Sequence, residues 1–321
     1  MGEHLLDVSG LRIAFPVEGR MAEAVRGTNF AIDKGEVVGL LGESGSGKTV
    51  SALAVMGLIV PPGAITGGNI RFAGRDLRTL NDSQMRTVRG REISIVFQDP
   101  QTTFNPSLTM GRQLLHVIRT HTSRSTSQAR QRALEVLELV GLPNPSRVMR
   151  CYPHQLSGGM QQRASIGMAL ACEPTLLIAD EPTTALDVTI QAQMVKLFLR
   201  LQDELDLTLL YITHNLDLMA ELCDRAIVMY GGMIVEAGTI RELFESPRHP
   251  YTRMLIDCVP RLDTKDSELA VIPGMPPTLG SITDGCPFEP RCPSAFERCR
   301  QDCPIEETRG GHRVACWGAM I

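Results

Sequence analysis

The sequence lacks any apolar run long enough to cross a bilayer: the longest, Val50 to Val60, falls well short of the roughly 20 residues a membrane helix needs. It also lacks an excess of cations, since 32 Lys and Arg stand against 36 Asp and Glu for a net charge of -4. Such a balance does not suit neutralisation of a phosphate backbone, so no nucleic-acid partner is expected. The opening MGEHLLDVSG has neither the basic n-region nor the apolar core of a secretory signal. Internal repeats and low-complexity tracts are missing as well. These absences give the expectation of a cytoplasmic protein that reaches a membrane only through a partner.

What is present is the composition of an ordinary globular protein, 43% apolar and 21% charged. At 321 residues the chain is long enough for roughly two domains with sizeable cores. Ten of the 20 prolines and six of the nine cysteines fall between Ser246 and Ile321. That shift sets a boundary near Pro247, with expected domains 1–246 and 247–321. Before it, the apolar runs Glu36–Leu41, Thr175–Asp180 and Leu207–Thr213 alternate with helical patterns, which suggests an α/β fold with a parallel sheet covered on both faces. Ser127–Val140 reads as a surface helix within a helical insertion at about 100–163. Val228–Val235 reads as two short strands about a glycine turn, and Leu5–Phe15 and Asn69–Phe72 as edge strands.

The strand ending at Leu41 runs into Gly42-Glu43-Ser44-Gly45-Ser46-Gly47-Lys48-Thr49 and then a helical pattern from Val50. This is G-x-x-x-x-G-K-[ST] between a strand and a helix, a P-loop. Its glycines let backbone N–H groups close on phosphate oxygens, Lys48 supplies charge for the β- and γ-phosphates, and the Thr49 hydroxyl suits Mg²⁺. Asp180 and Glu181 end a second apolar strand, the pattern of an aspartate that holds Mg²⁺ and a carboxylate that polarises an attacking water.

Between them, Leu156-Ser157-Gly158-Gly159-Met160-Gln161 closely resembles the LSGGQ signature of the nucleotide-binding subunits of ATP-binding cassette (ABC) transporters, with Met160 in place of glutamine. The resemblance implies an ABC-type P-loop ATPase cassette: a RecA-like parallel sheet core, antiparallel edge strands and a helical subdomain, followed by a small cysteine-rich C-terminal domain. It implies that Ser157, Gly158, Gly159, Met160, Gln161 and Asp187 meet ATP held by a second subunit. Gln98 then matches the Q-loop and a Mg²⁺ ligand beside Thr49 and Asp180, Ala185-Leu186-Asp187 the D-loop, and His214 the switch histidine. Gln98, Glu181 and His214 form the expected hydrolytic set, and Phe15 the aromatic that stacks on adenine.

Phe97–Pro106, Tyr152–Gly159 and His249-Pro250-Tyr251-Thr252 look like the dipeptide/oligopeptide importer branch. That branch implies ATP-driven uptake of short peptides, with nickel or another solute as the alternative cargo. The implied partners are a second ATPase of a different chain, two membrane permease subunits and an extracytoplasmic binding protein, placing this chain on the cytoplasmic face of the membrane. A non-transport ABC ATPase with a soluble partner is the competing reading.

Five of the nine cysteines lie between Cys286 and Cys316. Four thiolates suit Zn²⁺ or an iron–sulfur cluster, and wide spacings depart from the tight pairs of zinc sites. By resemblance to peptide-importer tails, the expected ligands of a [4Fe–4S] cluster are Cys286, Cys292, Cys299 and Cys316, with Cys303 as an alternative. Zinc, and thiols without metal, stay open. Cys151, Cys172, Cys223 and Cys258 read as isolated thiols.

Overall fold

The computed structural model describes residues 4–184, 186–259, 271–281 and 284–319. The chain divides into two units: Met1–Asp33, Val37–Arg78 and Ile212–Ile321 form the first, and Lys34–Glu36 with Thr79–Tyr211 the second. The strands are β1 Leu6–Val17, β2 Arg20–Ile32, β3 Val37–Leu41, β4 Ala64–Phe72, β5 Arg75–Asp76, β6 Ile93–Val96, β7 Leu176–Asp180, β8 Thr208–Thr213, β9 Arg225–Tyr230, β10 Met233–Thr239, β11 Glu307–Arg309 and β12 His312–Val314.

In the first unit β2, β1, β4 and β5 form an antiparallel sheet of their own, in that order. The sequence suggested edge strands here. The difference comes from burial: Leu6, Val8, Leu11 and Ile13 of β1 meet Val25, Phe30 and Ile32 of β2 and Ile70 and Phe72 of β4 in one fully buried layer. Such a face stabilises a sheet without help from a larger one. Elsewhere in this unit β9 lies parallel to β3 and antiparallel to β10, and Gly231 and Gly232 make the β9–β10 turn at φ of 54° and 81°. This glycine pair supplies the left-handed backbone a tight hairpin needs.

β12 pairs with β10 through Glu236↔Val314 and Ala237↔Arg313, and β11 follows β12. The cysteine-bearing segment is thus part of the first unit and does not form the separate small domain expected of it. Its few apolar side chains find their core elsewhere: Phe288 packs on Tyr230 and Tyr251 at ring distances of 5.1 and 5.3 Å. The fully buried Glu236 carboxylate clips the segment down. It accepts from Arg248 N at 2.6 Å and His249 N at 2.9 Å, and pairs with His312 Nε2 at 2.7 Å.

In the second unit β6 and β7 run parallel, from Ile93↔Leu176 to Val96↔Ala179, and every residue of β7 is buried. An all-buried strand needs a continuous apolar run, which is how Leu176–Ala179 reads. Its longest helices are Met110–His121, Thr126–Leu139, Gly158–Leu170 and Val188–Leu205. Ser125 and Gln128 form a capping box at the start of the second, and Ala129, Ala133, Val136 and Leu137 make its buried stripe. The Arg132 guanidinium donates to Leu170 O and Ala171 O, covering the carbonyl end of Gly158–Leu170. Among the described residues no helix is long and apolar enough to cross a membrane.

Candidate functional site

The first unit carries the P-loop between β3 and helix Lys48–Val55. Gly42, Gly45 and Gly47 all have positive φ, at 156°, 80° and 102°. A Cβ on Gly42 would come within 2.3 Å of Met229 O, and one on Gly47 within 2.8 Å of Ala24 O, so backbone on both sides leaves no room for another residue. Lys48 is buried, and its ammonium donates to Gly42 O at 2.7 Å and Glu43 O at 2.9 Å, spanning the loop. Ser44, Gly45 and Thr49 are exposed, Val50 is half-buried, and the buried Ser46 hydroxyl has no partner among the described residues. An inward hydroxyl without a partner and an arc of N–H groups at a helix start form an anion cradle.

His214, also in the first unit, is exposed just past β8, where Asn215 caps helix Leu216–Leu222 by accepting from Asp217 N and Leu218 N. Phe15 is half-buried in β1 with its ring against Gly63, where an added Cβ would come within 2.4 Å of it.

The second unit carries the carboxylates. Asp180 is buried at the end of β7, and Glu181 follows at φ 45°, a left-handed backbone that non-glycine residues rarely adopt. The Glu181 carboxylate accepts from Gln98 Nε2 at 3.1 Å and from Thr184 Oγ1 at 2.9 Å. Gln98 thus meets the expected base directly; Thr184 was not singled out from the sequence, although its place three residues on in Glu181-Pro-Thr-Thr184 was a local signal. Gln98 and Asp180 offer amide and carboxylate oxygens in this unit, and Thr49 a hydroxyl in the first, each a hard donor of the kind that suits Mg²⁺.

Ser157 caps helix Gly158–Leu170, its hydroxyl accepting from Met160 N at 3.4 Å. Ser157 and Gly158 are exposed, and among the described residues nothing lies within 4 Å of a Cβ placed on Gly158. Packing among the described residues does not explain that glycine; it fits close approach of a ligand to a helix start. Gly159 does pack, with an added Cβ 3.3 Å from Ile190. Met160 is half-buried, and the buried Gln161 holds the loop by donating to Pro153 O and Leu156 O. Asp187 caps helix Val188–Leu205 through Ile190 N at 3.0 Å; Ala185 of the D-loop lies outside the described residues.

A second pocket lies in the first unit, a cavity of about 140 Å³ bordered by Cys286, Cys292, Cys299 and Cys316 together with Arg248 and His249. Cys303 lies against Met233 instead, sulfur to sulfur at 3.2 Å. Burial raises the thiol pKa of Cys292 and pushes that of Cys286 up to about 12, the neighbouring cysteines adding to both. Arg248 Nη1 and His249 Nε2 are buried without partners among the described residues. His249 Nδ1 accepts from Tyr251 N at 3.1 Å, which puts the proton of a neutral ring on Nε2. Arg248 and His249, each with one unsatisfied buried donor, thus border the same cavity as the four cysteines. Among the described residues, no three His, Cys, Asp or Glu side chains are grouped so as to hold a metal ion.

The profile of the family described as ABC transporter matches residues 25–184, and that described as oligopeptide/dipeptide transporter, C-terminal region, matches 235–299. The dipeptide transport ATP-binding protein DppD of Bacillus subtilis is 47% identical over 98% of this chain and 95% of its own length. The oligopeptide transport ATP-binding protein OppD of Salmonella typhimurium is 44% identical over 98% and 93%. Among solved structures, a dimeric ATP-binding cassette in a post-hydrolysis state with ADP and Pi superposes with a TM-score of 0.66 at 27% identity, over 74% of this chain and 99% of that one.

Proposed function

The chain belongs to the ABC transporter family of ATPases, in its dipeptide and oligopeptide transport branch, and we propose that it is the ATP-hydrolysing subunit that energises import of di- or oligopeptides. The observation that carries this reading is similarity at 47% identity over 98% of the chain, cassette and C-terminal region alike. In this proposal ATP lies in the loop Gly42–Thr49 with Lys48 on its phosphates and Phe15 against adenine. Thr49, Gln98 and Asp180 would hold Mg²⁺, which would supply charge neutralisation. Glu181, oriented by Gln98 and Thr184, takes the proton from the attacking water, and His214 supports the γ-phosphate. Ser157, Gly158, Gly159, Met160, Gln161 and Asp187 serve the nucleotide of a second ATPase subunit, most simply a different chain.

Two permease subunits and an extracytoplasmic binding protein complete the proposed assembly, with this chain peripheral on the cytoplasmic face. In the first unit, Cys286, Cys292, Cys299 and Cys316 would hold a [4Fe–4S] cluster, which would serve either as a structural clip for this segment or as a redox control on the ATPase. The orphaned donors of Arg248 and His249 support that assignment over bare thiols. The boundaries 1–246 and 247–321, with a helical subdomain at about 100–163, are kept as a proposed division of the sequence and not of compact units, since the second segment packs within the first unit.

The test is ATP-driven uptake of labelled dipeptides into vesicles carrying the chain with its permease subunits. Uptake that needs ATP and competes with unlabelled peptides is expected. Uptake of nickel alone overturns the peptide reading, and purification with only a soluble partner overturns the transporter reading.

A further inference from the structure

Glu43 stands inside the phosphate-binding loop, where a carboxylate opposes the ligand the loop is built to hold. It is gripped from three directions. Its backbone N–H donates to Tyr251 Oη at 3.0 Å, its carbonyl accepts from Lys48 Nζ at 2.9 Å, and its carboxylate takes a two-pronged pair from Arg291 at 2.6 and 3.1 Å. The Arg291 side chain is only 5% exposed. Its remaining donors are used as well: Nε to Pro273 O at 2.8 Å, Nη1 to Tyr230 Oη at 3.2 Å and Nη2 to Ile272 O at 3.4 Å. The fork is therefore fixed in place and aimed at one carboxylate.

Arg291 ends the short turn Glu289–Arg291, immediately before Cys292 of the thiol pocket. We propose that Arg291 is a positioning residue for ATP: from the cysteine-bearing segment it neutralises and orients Glu43, and so sets the affinity of the P-loop for the nucleotide phosphates. The inference rests on the reading of Gly42–Thr49 as the nucleotide site and is independent of what the thiol pocket holds. Without Arg291, a half-buried carboxylate is left unpaired beside the phosphates and the loop loses one of its three anchors.

The experiment is titration of the full chain with Mg-ATP, comparing the unaltered protein, Arg291→Gln, and Arg291→Gln with Glu43→Gln. Arg291→Gln is expected to weaken ATP binding roughly tenfold. The double variant is expected to return to within about threefold of the unaltered chain, because the charge that Arg291 answers is gone. A purely architectural arginine predicts no such rescue. Unchanged affinity in a folded Arg291→Gln, or a double variant as weak as the single, overturns the proposal. If Arg291→Gln does not fold, the comparison moves to Glu43→Gln with and without Arg291→Gln: equal affinities support action through Glu43, and a drop overturns it. Lys48→Ala is the reference. If it binds ATP as well as the unaltered chain, the P-loop reading has failed, a result distinct from failure of the Arg291 inference.

Discussion

Glu181 holds its carboxylate in place at the cost of an unfavourable backbone. A non-glycine residue at φ 45° costs about 1–3 kcal/mol and persists where the surroundings over-determine it, here through Gln98 and Thr184. Replacing the carboxylate by its amide keeps the shape and removes the ability to accept a proton. Glu181→Gln is therefore expected to bind Mg-ATP as the unaltered chain does while hydrolysis falls by roughly 10²-fold or more. Phosphate release measured beside equilibrium ATP binding on the same preparation checks this. Hydrolysis at the normal rate would remove Glu181 from the role of base.

At the scale of elements, what was legible depended on how local the pattern was. The P-loop and the strand Leu176–Asp180 were read because each completes its motif within one strand–loop stretch. The pair Arg291–Glu43 joins residues 248 positions apart, and no periodicity announces such a contact. The β1–β2–β4 sheet was legible only in part: β1 and β4 read as edge strands, but β2 and the sheet the three form on their own did not, because register shifts between β1 and β2 break the alternation along β2 that marks a half-buried strand. The cysteines were legible as a group, but not the donors beside them: Arg248 and His249 join them only through the fold. Those donors make a prediction. Protein purified without oxygen is expected to carry about four irons with matching acid-labile sulfide and a visible absorption band, and Cys299→Ser to lose most of both. Zinc at one per chain, or no metal, would return the orphaned donors to an unexplained state.

At the scale of the whole molecule, the two halves of the expected chemistry within one chain differ in what they lack. Ser157 and Gly158 stand exposed at a helix start, Gly158 with open space where a side chain would be, and Asp187 and the 80%-exposed Val188 stand beside the next. In the proposed assembly this is the face, with polar N–H donors and an apolar side chain left to solvent, to which a second cassette brings its nucleotide. The chain has a single P-loop and a single signature, which is what the proposed pairing of two cassettes around two nucleotides requires. The expected outcome is that this chain with Glu181→Gln, mixed with its partner ATPase, elutes as a dimer with Mg-ATP and as separate subunits with ADP. Ser157→Arg should abolish that ATP-dependent shift by blocking the helix start, while leaving Mg-ATP binding at the chain's own P-loop unchanged. A shift that survives Ser157→Arg would mean that the contact between cassettes does not run through the signature.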